Sequence, residues 1–129
     1  MYKRQANAGG GKSGALNYAL KFTHGDWILI LDADAQLKKD TLPRLFSFVY
    51  KGSWSAVQLR KSVINVSKNF LTTFQSMEMA MDAIFQYGRL SSAGVSELRG
   101  NGQLINKEVL LKCGLFNDCL LYTSPSPRD

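Results

Sequence analysis

Cysteine, histidine and proline are scarce in this chain: among 129 residues there are two Cys, one His and three Pro. A disulfide scaffold needs several paired cysteines and a zinc centre needs clustered Cys and His, so neither organises this fold. Cys113 falls in an apolar helical pattern with no Cys or His beside it in sequence. Long apolar runs are missing too. The run at residues 27–31 is far below the roughly 20 residues that cross a bilayer, and no basic-then-apolar leader opens the sequence. The segment by itself is expected to be soluble, with any membrane attachment made through segments it lacks. Acidic residues are the minority, ten against sixteen basic, for a net charge of +6. That balance suits an anionic ligand or a membrane surface, but the basic residues are scattered, so nucleic acid is not expected as a partner. No internal repeat is visible.

What is present is a 45% hydrophobic composition, that of a single globular domain with a core. Both ends stand apart from it. Residues 2–5, YKRQ, can be encoded by a DNA string whose reverse complement encodes CLLY, the residues at 119–122. One DNA adapter on both flanks accounts for that relation better than a flexible Ser/Pro-rich terminus does. Residues 1–5 and 119–129 are therefore set aside as adapter-derived, leaving 6–118 as the domain. Without them thirteen basic residues face nine acidic ones, about +4, and Cys113 is the one remaining cysteine.

Glycines 9–11 lead into a helix over residues 13–22, where Ala15, Leu16, Ala19 and Leu20 recur at helical spacing. Residues 26–31 form an apolar run too short for a helix, hence a buried strand of a parallel or mixed sheet. Asp40 can cap a helix reaching about residue 50, with Leu42, Leu45, Phe46 and Val49 on one face. A second strand over 56–60 precedes a long helix over 67–90. Its stripe of Phe70, Phe74, Met77, Met81, Ile84 and Phe85 at three- and four-residue steps reads as core packing. A loop over 91–101, a strand at 103–105 and a short helix over 107–113 follow. Strands alternating with helices point to an open α/β sheet with flanking helices.

Two constellations carry chemistry. In open α/β sheets ligands bind beyond the carboxyl ends of strands, and Asp32 and Asp34 stand there with one residue between them. Paired carboxylates repel unless a cation intervenes, and such oxygen ligands suit Mg²⁺ or Mn²⁺ bridging to substrate phosphates. The competing reading is an acidic pair that caps a loop and faces solvent. The second constellation is Gly9-Gly10-Gly11-Lys12-Ser13-Gly14, where helix N–H groups and a cation can receive phosphate, with Asn17 one turn on. A P-loop nucleoside triphosphatase is the rival. Its spacing needs glycine at position 6, where Ala6 stands, and the strand that should precede the loop is absent. A plain flexible turn is the other alternative.

Taken together, NAGGGKSGALN at 7–17, ILDADA at 30–35, AVQLR at 56–60 and LRGNGQ at 98–103 resemble the family two glycosyltransferases of bacteria, the group of cellulose, chitin and hyaluronan synthases. The resemblance implies a partial GT-A fold and an inverting, hexosyltransferase-type enzyme of polysaccharide synthesis. It implies a nucleoside diphosphate sugar, UDP-linked, as donor and a saccharide or lipid as acceptor. Residue by residue, it implies that Asp32 contacts nucleotide and metal and that Asp34 is the main ligand of Mg²⁺ or Mn²⁺. It implies too that Lys12 approaches the diphosphate, with Asn17 beside it. Gly100, Asn101 and Gly102 match the segment lining the donor-sugar and acceptor pocket, and Gln58 and Arg60 can face the same cleft or form an ordinary exposed face. Gln75, Glu78 and Arg89 are weaker candidates on the long helix. The family's nucleobase-binding strand should precede Asn7, and its general base should follow Asp118, which is itself a poor match for that base. By this reading the segment alone does not turn over, and the parent protein works at the cytoplasmic face of a bacterial inner membrane. A binding module that keeps the fold without the chemistry is the remaining alternative.

Overall fold

The computed structural model describes residues 10–117; Asn7, Gly9, Asp118 and the end segments 1–5 and 119–129 lie outside the described residues. In chain order the elements are α1 (Gly11–Leu20), β1 (Trp27–Ile30), α2 (Thr41–Tyr50), β2 (Ala56–Gln58), α3 (Phe70–Ala93), β3 (Gln103–Asn106) and α4 (Lys107–Lys112). The three strands form one sheet in the order β1-β3-β2.

Strand direction differs from the expectation of a parallel or mixed sheet. β2 and β3 are antiparallel, with Ala56 opposite Ile105, Val57 opposite Leu104 and Gln58 opposite Gln103. β1 is antiparallel to β3 as well, because Gly102 N–H donates to Ile30 O at one end and Lys107 N–H to Asp26 O at the other, each at 2.8 Å. The cause lies in the connection through α3. Leu59 N–H donates to Gly102 O at 2.7 Å, so the chain leaves β2 and returns to β3 at the same end of the sheet. α3 is an excursion rather than a crossover helix, and the return strand must run backwards.

The chain divides into two compact units, residues 1–28 with 106–129, and residues 29–105. In the first, Ser13, Leu20 and Leu110 are buried. Helix α1 starts two residues earlier than the spacing predicts. Gly10, at φ +75°, turns the chain into the helix and its carbonyl accepts from Gly14 N–H at 2.7 Å, a left-handed entry that side-chain-bearing residues resist. Asn106 caps α4 by accepting from Val109 N–H, and Lys107 Nζ donates to Thr23 O at 2.7 Å.

In the second unit Ile30, Leu45, Val49, Leu104 and Ile105 are buried, Leu104 to 1% exposure. β1 is less enclosed than expected: Ile30 is buried while Trp27, Ile28 and Leu29 are half-buried. Leu45 and Val49, four residues apart, give α2 its inward stripe. Asp40 precedes α2 without a side-chain cap; its carboxylate pairs instead with Arg44 at 3.3 Å. α3 starts at a capping box, Asn69 accepting from Thr72 N–H and Thr72 Oγ1 accepting from Asn69 N–H, and ends at Gly94 with φ +68°.

The apolar stripe of α3 is not core. Phe70, Phe74, Met77, Met81, Ile84 and Phe85 are all exposed, and no residue of this helix is buried. The half-buried side of the helix carries Thr72, Thr73, Ser76, Asp82 and Gln86 beside Met79, Ala80 and Ala83. Its polar groups hold the inner side through bonds to neighbouring segments: Thr73 Oγ1 donates to Val66 O, Asp82 accepts from Arg99, and Gln86 Oε1 accepts from Glu97 N–H.

Candidate functional site

The carboxylate pair sits where β1 ends. Asp32 O accepts from Ala35 N–H at 3.0 Å, closing a tight turn that displays Ala33 and Asp34 to solvent while Asp32 is half-buried. This turn is fastened to the entrance of β3, because Asp32 N–H donates to Asn101 Oδ1 at 3.2 Å and Gly102 N–H donates to Ile30 O at 2.8 Å. Residues 69 apart in sequence thereby fix the backbone of one acidic turn.

Gln58, the last residue of β2, completes the arrangement. Its Nε2 donates to Asn101 O at 2.9 Å, Leu59 O at 3.0 Å and Gly102 O at 3.2 Å, while its Oε1 accepts from Arg99 N–H at 2.7 Å. Gly102 lies at φ +79°, and a Cβ there would stand 3.1 Å from Leu59 Cβ. Glycine is thus required twice, by the backbone angle and by the space. The turn over 99–102 is the junction between the acidic turn and the end of β2.

Beside it runs a groove of about 760 Å³, lined among others by Gln58, Arg60, Gln75, Glu78, Asp82 and Arg99. Gln58, Arg60, Gln75 and Glu78 thus line one groove, whose lining does not include Asp32, Asp34, Gly100, Asn101 or Gly102. Arg89 is occupied elsewhere: it hydrogen-bonds Glu97, holding that carboxyl below the usual carboxylate range, with further help from Gln86 and Arg99. Arg99 also reaches Asp82 at 2.7 Å and Glu97 at 3.1 Å. Gly100 is exposed within the junction. Sequence reasoning does not single out Arg99 or Asp82, and their 17-residue separation leaves no local spacing rule that would reveal the pair.

Lys12 and Asn17 belong to the other unit. Lys12 is exposed in the first turn of α1, the helix end whose leading N–H groups lack intrahelical partners. Asn17 bonds within its own unit, where Nδ2 donates to Phe116 O at 2.8 Å and Oδ1 accepts from Phe116 N–H at 3.0 Å. That pair of bonds ties α1 to the segment after α4 and uses both ends of the carboxamide.

Among the described residues no group of three or more His, Cys, Asp or Glu is placed to enclose a metal ion. Two carboxylates on an open turn still fit Mg²⁺ or Mn²⁺, since these ions take one or two protein carboxylates and complete their shells with phosphate and water. They do not fit a structural zinc, which needs four closed ligands.

An α/β chain whose acidic turn lies beyond a strand's carboxyl end, stitched to a glycine-bearing junction, has the build of a ligand-binding α/β domain. The chain belongs to glycosyl transferase family 2, whose family model matches residues 2–114, and its fold is accordingly a partial GT-A domain. It is 44% identical over 118 residues to a beta-monoglucosyldiacylglycerol synthase of Synechocystis sp., an alignment covering 92% of this chain and 25% of that protein. A synthase of the same name from Nostoc sp. is 43% identical over 118 residues, again 92% of this chain and 25% of the relative. A probable glycosyltransferase of Bacillus subtilis (strain 168) is 31% identical over 114 residues, 87% of this chain and 27% of the relative. The chain thus spans about a quarter of the length of the relatives it matches. No solved structure matches it.

Proposed function

We propose that the parent protein is an inverting glycosyltransferase that moves a hexose from a UDP-sugar to an acceptor, and that residues 10–117 contribute the donor half of its site. The observation that carries this reading is the Asp32-Ala33-Asp34 turn, held at the end of β1 by Asn101 and by its own backbone bond. Asp34, exposed at the tip, and Asp32 would hold Mg²⁺ or Mn²⁺. Such an ion neutralises charge on a departing diphosphate. The family resemblance gives Lys12, in the first turn of α1, the role of receiving phosphate, and a helix N-terminus favours an anion. The junction over 99–102 brings backbone close to the sugar because Gly100 and Gly102 have no side chains in the way.

The names of the cyanobacterial relatives point to glucose as the sugar and diacylglycerol as the acceptor, which selects the lipid among the saccharide and lipid alternatives. Acceptor activation needs a base within hydrogen-bond reach of the hydroxyl, and family resemblance puts it in an acidic segment following Asp118. A lipid acceptor places the reaction at a membrane surface, at the cytoplasmic face where nucleotide sugars are found.

Calorimetric titration of the full-length parent protein with UDP and with ATP, each with and without Mn²⁺, tests the reading. UDP should bind only with the metal, and Asp34→Ala should abolish that binding with no change in far-UV circular dichroism, since the exposed side chain supports no packing. Metal-dependent UDP binding that survives Asp34→Ala returns the pair to a solvated loop. ATP binding lost in Lys12→Ala, with no UDP binding, replaces the transferase by a phosphohydrolase.

A further inference from the structure

Gln58 lines the groove, yet both ends of its carboxamide are engaged by the protein's own backbone. Nε2 donates to the carbonyls of Leu59, Asn101 and Gly102, and Oε1 accepts from Arg99 N–H. An amide nitrogen has two hydrogens to give, and three carbonyls already share them, so little of this side chain is left for a ligand.

What the carboxamide holds is the turn over 99–102, and that turn in its own right holds the acidic one. Asn101 and Gly102 grip the end of β1 on either side of Leu31: Gly102 N–H donates to Ile30 O at 2.8 Å and Asn101 Oδ1 accepts from Asp32 N–H at 3.2 Å. The amide also lies against the glycine, where a Cβ would stand 3.4 Å from Gln58 Nε2. From Gln58 to the backbone of Asp32 no hydrogen bond on this path is longer than 3.2 Å. All of these residues belong to one compact unit, 29–105. The acidic turn's own bond, Ala35 N–H on Asp32 O, closes the loop but does not fix where the loop stands on the sheet. The bonds through 99–102 do that.

We propose that Gln58 is a positioning residue for the metal and donor site: acting through the turn over 99–102, it sets where Asp32 and Asp34 stand, and it touches neither metal nor donor. The proposal rests on the metal-dependent reading above and adds to it a residue from a different strand. Carboxylates grip a cation best when the shell behind them holds their spacing before the ion arrives. A turn released from Gln58 must instead be ordered by the ion, and that ordering weakens binding.

Mn²⁺-dependent UDP binding by the full-length parent protein and its variants tests this, together with amide exchange over residues 30–35 in the metal-free protein. Gln58→Leu should raise the half-saturating Mn²⁺ concentration about tenfold or more and speed exchange in that segment. A protein of ordinary stability stays almost wholly folded after losing a few hydrogen bonds, so lost stability alone leaves the Mn²⁺ midpoint in place. Val49→Ala supplies the control, because it opens the buried core of α2 and removes no bond of the junction. It should lower Tm and leave the Mn²⁺ midpoint where it was. Should Gln58→Leu fail to fold, Gln58→Met, unbranched and of similar length, carries the same expectation. Combining Gln58→Leu with Asn101→Ala should weaken binding by less than the product of the two single effects, since both act on Asp32 along one path.

A Mn²⁺ midpoint unchanged in Gln58→Leu overturns the positioning role, as does an equal shift in Val49→Ala or a double variant whose losses multiply in full. Failure of the donor reading shows in the parent instead. No Mn²⁺-dependent UDP binding there removes the site that Gln58 serves and overturns both, whereas parent binding that Gln58→Leu leaves intact overturns the positioning role alone.

Discussion

Replacing Gln58 by leucine tests whether the junction at 99–102 holds the site together. The substitution keeps a side chain of similar length and removes all of its hydrogen bonds. Gly102 O retains Leu59 N–H as a donor, but Asn101 O and Arg99 N–H lose the only partners that Gln58 gave them. At roughly 1 kcal/mol for each half-exposed bond, Gln58→Leu should cost about 2 kcal/mol, near a thirtyfold shift in the folding equilibrium. For a domain of this size that lowers Tm by roughly 7–9 °C. Thermal and urea melts of the two proteins would read it, and faster amide exchange at Gly102 and Asp32 would place the loosening at the junction. A Tm within about 2 °C of the parent's would show that the fan of bonds is decoration.

Gln58→Glu sharpens the same test through pH. The introduced carboxylate can still accept from Arg99 N–H, yet it faces the Asn101, Leu59 and Gly102 carbonyls where an amide used to donate. Only the protonated acid restores a donor, so folding favours protonation and raises the folded pKa above the unfolded value of about 4.3. The variant's stability relative to the parent is therefore best in acid and is lost as pH rises through the folded pKa. Equal deficits at about pH 4 and about pH 7 would refute the assigned donor direction.

Two further outcomes follow from the same region. Gly102→Ala meets a φ of +79° and a Leu59 Cβ at 3.1 Å, so it should destabilise by about 1–2 kcal/mol from backbone strain alone, and an unchanged urea midpoint would contradict the geometry. Glu97, hydrogen-bonded to Arg89, has its folded pKa lowered from 4.5; its contribution is present above that value and lost as pH falls through the lowered one. A carbon-13 titration of its carboxyl should accordingly give a midpoint below 4.5, and a midpoint at or above it would remove the Arg89 contact from solution.

Local chemistry makes much of this legible in the sequence. The glycine run before α1, the short apolar strand stopping at Asp32 and the placement of α2, α3 and α4 each depend on residues within a turn or two, where periodicity and breakers act. What is not legible depends on partners far away. The direction of β3 follows from the return of α3 to the end of β2, and no feature of residues 103–106 encodes it. The inward side of α3 differs from the expected one because period alone identifies two faces without saying which is covered; here hydrogen bonds to the loop at 96–99 choose the polar one. The bond of Asn17 to Phe116, 99 residues on, likewise has no local signal.

The acidic pair raises the same question at the scale of one turn, since two like charges with one residue between them should loosen the segment that bears them. In this structure the turn also has backbone bonds of its own. Its backbone is held by Ala35 N–H on Asp32 O and by Asp32 N–H on Asn101 Oδ1. Stability and ligand binding should therefore separate by residue. Asn101→Ala removes one half-exposed bond and leaves Asp32 N–H to water, so it should cost about 1 kcal/mol and also weaken metal-dependent UDP binding, because the carboxylates lose their fixed spacing. Asp34→Ala should leave the melt unchanged and remove the binding altogether. Asn101→Asp discriminates further: its carboxylate keeps an acceptor for Asp32 N–H but adds a third negative charge beside the pair, so stability should largely recover at high salt while at low salt the fold is weakened. Melts and Mn²⁺ and UDP titrations on the three variants check this order. If Asn101→Ala changes neither property, the turn holds its shape without β3, and the site is a loop that a bound ligand would have to organise for itself.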